Sequence, residues 1–416
     1  MNLFCAIFLS ITTLLVAPFR THVKPESGIA TLQVLANGEQ LSHPVVSLGS
    51  DAVIDISFDD LTYSPRNYYY RIVHCNSDWR PSDLMSMEYL EGMDDQIIYD
   101  YTSCANTLQD YIHYHLSLPN DDVAPTVSGN YAVLIARDND FDSALVAVAC
   151  FSLVEPIASI SVGVSSNTLR GINDHFQELA VEADVSQVNS SSPRTDFTMV
   201  IRQNGRYDNE RYIRRPTGVF DGNRLTYHTN QELVFYAGNQ YRSIDFSSRY
   251  TYGSGIDRFV KTDSIYKVML EPADFSCARR TYADDAHGGY VVHVQGSAYD
   301  SDTEADYVIV HFEIRDVDPL LEGKFYLLSQ GTYNLFNETS QFEYDFNTRT
   351  LWLDLLLKQG GLNYQFIRVP RHGAPSLMFT EGNFWQTSNS YELFLYYRPV
   401  GARYDRLISY TVKESL

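Results

Sequence analysis

Short segments in which apolar and polar residues alternate recur along this 416-residue chain, and that period of two most limits what it can fold into. Successive side chains of a β-strand point to opposite faces, so alternation gives a sheet one apolar and one polar face. In Tyr111–Leu118 (YIHYHLSL), Ile112, Tyr114, Leu116 and Leu118 share one face, while His113, His115 and Ser117 share the other. Val308, Val310, Phe312 and Ile314 line one side of Asp306–Arg315, and Tyr391, Leu393, Leu395 and Tyr397 one side of Tyr391–Arg398. Leu351–Ile367 reads as a hairpin, with Gly360-Gly361 supplying the positive φ of a tight turn. Helical turns are expected only at 83–89 and 172–180. Short strands at this spacing, separated by Gly, Asn and Asp, predict an all-β fold of tandem immunoglobulin- or fibronectin-like β-sandwich domains.

Composition narrows the class further. The 31 Tyr and 22 Phe suit half-buried pleated surfaces. A formal net charge of −21 gives no general attraction to phosphate backbones, which argues against nucleic acid as a partner. The apolar run Leu3–Ala17 is shorter than the roughly 20 residues of a membrane-spanning helix and fits a secretory leader, so 1–22 is expected to be a signal peptide. No Lys or Arg precedes that run. The run Ala144–Val154 reads as a closing strand before Pro156, and a second break falls near Asp316–Pro319. The expected units are therefore 28–156, 157–318 and 319–416, the last short enough to share strands with the middle one. Of the cysteines, Cys5 falls in the leader. Cys75, Cys104, Cys150 and Cys277 are too few for a disulfide scaffold, and both a Cys75–Cys104 bridge and free thiols stay open.

The search for chemistry assigns no catalytic, cofactor-binding or metal-ligating residue. His113 and His115 project from one strand face and would need a third ligand to hold a metal, and the alternation sets them opposite the core with no evident partner. Ser264 to Lys267 matches S-x-x-K, but β-favouring residues surround it and the companion motifs of penicillin-recognising enzymes do not follow. The pairs Asp59-Asp60, Asp94-Asp95 and Asp284-Asp285 invite a glycosidase reading. Neighbours on a strand face opposite ways, however, and such pairs usually sit in solvated loops. Trp79, Trp352 and Trp385 could stack on sugars or simply pack.

Several blocks carry more information together. They are Phe58-Asp59-Asp60-Leu61; Tyr68–Gly92, containing HCNSDW; the pattern Tyr101, Ser103, Asn106-Thr107, Tyr111, His113-Tyr114; Ser128–Ile135 (SGNYAVLI); Phe235–Phe246; Leu356–Gly361 (LLKQGG); and Glu381–Tyr410, containing LYYRP and Tyr404-Asp405-Arg406-Leu407. In combination they resemble the plug protein family of the type IX secretion system of the Bacteroidetes, most strongly over the first domain. Ser388 departs from the family pattern, where an acidic residue is expected. The resemblance implies a non-enzymatic periplasmic plug, without cofactor or small-molecule substrate, at the inner face of the outer membrane. Its partner would be the large outer-membrane translocon barrel, whose periplasmic opening it seals when no cargo passes, and it would touch the membrane only through that partner. An exported glycan-binding or glycan-cleaving sandwich is the alternative, with a periplasmic chaperone or scaffold a third.

Overall fold

The computed structural model describes residues 17–251, 253–275, 280, 285–296, 300–318 and 322–415, and it is an all-β sandwich architecture. Six main sheets pair face to face as three sandwiches. In the first, one sheet orders the strands His22–Val23, Leu145–Val154, Gly129–Arg137, Tyr68–Cys75 and Asp95–Ile97, with Val45–Ser47 joining Leu145–Val154 in parallel. Its partner sheet orders Ile29–Ala36, Ile54–Asp60, Ile112–Leu118 and Asp100–Ser103. Ile56, Phe58, Tyr68, Tyr70, Tyr114, Tyr131 and Phe151 fill the space between them. Phe58 stacks on Tyr114 with ring centres 5.2 Å apart, and Tyr68 meets Tyr114 edge-on at 4.9 Å. The alternation read from Ile112 to Leu118 is the one observed, with Ile112, Tyr114, Leu116 and Leu118 all buried.

The second sandwich is assembled from two distant parts of the chain. One sheet contains Ser159–Ser165, Phe176–Asp184, Arg224–Tyr227 and Gly218–Phe220. The other runs Arg211–Ile213, Phe197–Gln203, Ser390–Tyr397, Arg406–Glu414, so its last two strands come from the C-terminal end. The third sandwich is nested between those parts. It pairs Ile256–Lys261, Tyr266–Leu270, Tyr307–Ile314, Thr350–Lys358 and Glu343–Asp345 against Arg242–Asp245, Gly360–Val369 and Tyr290–Val292, with Lys324–Leu328 also on Gly360–Val369. Tyr307–Ile314 and Thr350–Lys358 form eight residue pairs across position 318, so a division there falls inside a hydrogen-bonded sheet.

Two local expectations are corrected. Residues 172–180 are not helical: Phe176–Asp184 is a strand that buries Gln177, Leu179, Val181 and Ala183 at every second position. Leu351–Ile367 is not a hairpin either. Thr350–Lys358 and Gly360–Val369 lie in opposite sheets, and the chain crosses the core edge at Gln359. Gly360 does not supply a positive φ there. A Cβ on it would lie 1.8 Å from the Val291 carbonyl oxygen, so glycine is needed for close backbone approach. Finally, residues 1–16 of the expected signal peptide, with Cys5, lie outside the described residues. Phe19 to His22 are built into the first sandwich: the Phe19 amide donates to the Trp79 carbonyl, and His22 pairs with Val148.

Candidate functional site

The outward faces of these sheets are not all wet. Ser390–Tyr397 is buried at every position, because Tyr391, Leu393 and Leu395 face the second core while Phe394 and Tyr396 face the first sandwich, beside Val154 and Leu407. The polar side chains that accompany such contacts concentrate where the sandwiches meet.

At the seam of the first and third sandwiches, Asp59 and Lys358 pair at 2.6 Å with both side chains 1% exposed. His113 Nδ1 donates to the other carboxylate oxygen of Asp59 at 2.7 Å, and the Tyr307 hydroxyl donates to Asp59 Oδ2 at 2.6 Å. The Lys358 ammonium also sits 4.3 Å from the Tyr111 ring centre. Burial alone would raise the Asp59 pKa, but the Lys358 charge and the His113 hydrogen bond outweigh it and hold the carboxyl below its ordinary value. Asp60 points the opposite way, into the first core, where it accepts from the Tyr68 hydroxyl at 2.7 Å. The two acids therefore face apart, as a strand requires, but both are buried, which corrects the expectation of solvated loop residues. His113 is likewise corrected: its partner is Asp59. His115 lies 3.2 Å from Asp55 and 3.1 Å from Asp100.

A second charged seam joins the first and second sandwiches. Glu210 binds Arg20 at 3.0 Å and Arg202 at 2.6 Å, and both guanidiniums lie over the Tyr207 ring, at 4.5 and 4.7 Å. His43 reaches Glu392 at 3.1 Å. The Glu392 carboxyl would be raised by burial, yet the His43 hydrogen bond and Arg202 hold it below its ordinary value. A cavity of about 160 Å³ opens where the three sandwiches meet, lined by His43, Arg202, Tyr333, Asn334 and Glu392. Among the described residues Glu392 Oε2 and Asn334 Oδ1 have no hydrogen-bond partner, and a polar cavity of that size has room for ordered water.

The same two sandwiches are also joined by hydrogen bonds and ring contacts. The Ser77 amide donates to Asp405 at 2.9 Å, and the Asp405 amide to Asn76 at 3.2 Å. His74 meets Tyr404 edge-on at 5.3 Å, and burial pushes its pKa down to about 4. The Tyr396 hydroxyl donates to Asn130 at 2.9 Å. These contacts sort the blocks singled out in the sequence. HCNSDW meets Tyr404-Asp405-Arg406-Leu407, SGNY meets LYYRP, and Phe58-Asp59-Asp60-Leu61 meets LLKQGG. Sequence reasoning found the blocks but not that they are two halves of each seam, since only the folded chain sets residue 59 beside residue 358.

The remaining candidates are scattered. Ser264 is exposed in the loop between two strands, and Lys267 pairs with Asp354 at 3.3 Å. Arg71 grips Asp95 at 2.7 Å through two nitrogens, while Asp94 is exposed. Asp284 lies outside the described residues; Asp285 accepts from the Tyr241 amide at 2.6 Å. Trp79 is buried with Cys75 and Cys150 on the outer face of the first sandwich, Trp352 stacks beside His311, and Trp385 lies near Asp174, so the three indoles form no common platform. Cys75, Cys104 and Cys150 are free thiols, Cys150 pushed up to about 12 by burial, and Cys277 lies outside the described residues. Among the described residues no three His, Cys, Asp or Glu side chains are grouped to hold a metal ion, and no helix is long and apolar enough to cross a membrane.

Comparison with known proteins matches this arrangement to two findings. Residues 29–155 match the family model described as type 9 secretion system plug protein, first domain. A crystal structure of a hypothetical protein from Parabacteroides merdae ATCC 43184 is 36% identical, with a TM-score of 0.92 over 96% of this chain and 100% of that one. No curated protein matches.

Proposed function

We propose that this chain, whose residues 29–155 match the type 9 secretion system plug protein first-domain model, is the periplasmic plug of the type IX translocon, seated at the inner face of the outer membrane. There it closes the periplasmic opening of the large barrel while no cargo passes. The family match over 29–155 carries this reading. The seams supply a physical rationale. A stopper acts by occupying space, so it must not come apart into three sandwiches under load. Ion pairs across the seams, such as Asp59–Lys358 and Arg20–Glu210, fix one relative placement, because separating the sandwiches would leave charges unpaired. A body already rigid also loses little further entropy on docking. In this reading the chain transforms no substrate.

The test is affinity purification of the tagged full chain from detergent-solubilised outer membranes. Recovery of the translocon barrel is expected. Binding to polysaccharide instead, or hydrolytic turnover abolished by changing one acid to its amide, would replace the plug with the glycan-directed alternative.

A further inference from the structure

One border of the first sandwich is unlike the rest of its surface. The segment Ser82 to Ser103 wraps that border and contributes the edge strand of each sheet, Asp95–Ile97 in one and Asp100–Ser103 in the other. Among the described residues each pairs on one side only, leaving a row of backbone donors and acceptors open. The same segment exposes large apolar side chains: Met85, Met87, Met93 and Tyr99 are between 62% and 79% exposed, and Tyr101 is 49% exposed. Flexible Met side chains and amphipathic Tyr rings are the residues that adaptable protein contacts favour.

Charge decides what could cover them. Between Arg80 and Arg137 the sequence has no Lys or Arg and nine Asp or Glu. Arg71 neutralises Asp95 and Arg403 neutralises Glu88, but Glu91 and Asp94 are exposed and without an ion pair among the described residues. A second copy of this chain would set acid against acid, and an anionic lipid surface would be repelled in the same way. A protein surface that offers an apolar recess rimmed by Lys or Arg satisfies both features.

We propose that this border is the face by which the chain docks, and that the partner presents a basic-rimmed apolar recess, which on the plug reading lies at the periplasmic mouth of the barrel. The inference rests on that reading and adds the contact surface and its chemistry. The experiment captures the barrel, identified by peptide mass, with the full chain and three variants: Met87→Ser with Tyr99→Ser; Glu91→Gln with Asp94→Asn; and Ile172→Ser with Phe346→Ser. Ile172 and Phe346 are exposed apolar residues of the other two sandwiches, and serve as the control. The first variant should recover the barrel at least about tenfold less well with an unchanged melting temperature. The second should weaken the fall of capture with salt, and the control should behave as the unaltered chain. Undiminished capture by the border variants, or loss in the control, overturns the docking face while leaving the plug reading intact. Failure of the unaltered chain to capture the barrel overturns both.

Discussion

Lys358 illustrates how much depends on single side chains. Its ammonium is shut in by Asp59 and the Tyr111 ring, and the Asp302 carbonyl accepts from it as well. Removing one member of a buried pair leaves the other uncompensated, typically at about 3–5 kcal/mol, whereas removing both charges is far milder. Lys358→Met should therefore cost a few kcal/mol in chemical denaturation, and Asp59→Asn with Lys358→Met should cost less than Lys358→Met alone. An additive double variant would show that the pair is not coupled. Tyrosine explains its own abundance at this scale. Tyr111 donates to the Ala305 carbonyl at 2.8 Å, Tyr307 to Asp59 and Tyr396 to Asn130, each across a seam. Phe would fill the same space but lose those hydrogen bonds across the seams.

At the scale of elements, alternation made the strand from Ile112 to Leu118 legible, yet the similarly alternating Phe176–Asp184 read as a helical turn. The pattern fades where both faces are covered: Ser390–Tyr397 carries polar Glu392 on its outer face, yet that glutamate is buried against His43 and Arg202. Strand partners were less legible than strands. Two apolar runs separated by Gln-Gly-Gly look like a hairpin, but local sequence does not encode which sheet each joins. Gly360 and Gly361 separate the two readings experimentally. A Cβ at Gly360 meets the Val291 carbonyl at 1.8 Å, while at Gly361 the nearest atom is 3.9 Å away. Gly360→Ala should lower stability by more than about 2 kcal/mol, and Gly361→Ala should fall well below that. Equal effects in thermal melts would mean that the close approach is not what requires glycine.

Across the whole molecule, the nested order of strands makes the second and third sandwiches depend on the C-terminal end. A chain ending at residue 318 lacks Thr350–Lys358 and Gly360–Val369 from the third sandwich, and Ser390–Tyr397 and Arg406–Glu414 from the second. Such a fragment should show slow-exchanging amides only within the first sandwich, whereas the full chain should protect all three cores in hydrogen exchange. Protection across 157–318 in the fragment would show that the middle strands fold without their C-terminal partners. The sequence by itself determined the strand class, the inward faces of the alternating strands it singled out and, through its scattered blocks, the family resemblance of the first domain. Those properties follow from residue type and spacing within a few positions. Which sheet each strand joins, the pairing of those blocks across seams and the grouping of Asp59, His113 and Lys358 were decided only by the tertiary structure. They depend on contacts hundreds of residues apart, where desolvation turns ordinary surface charges into fixed internal pairs.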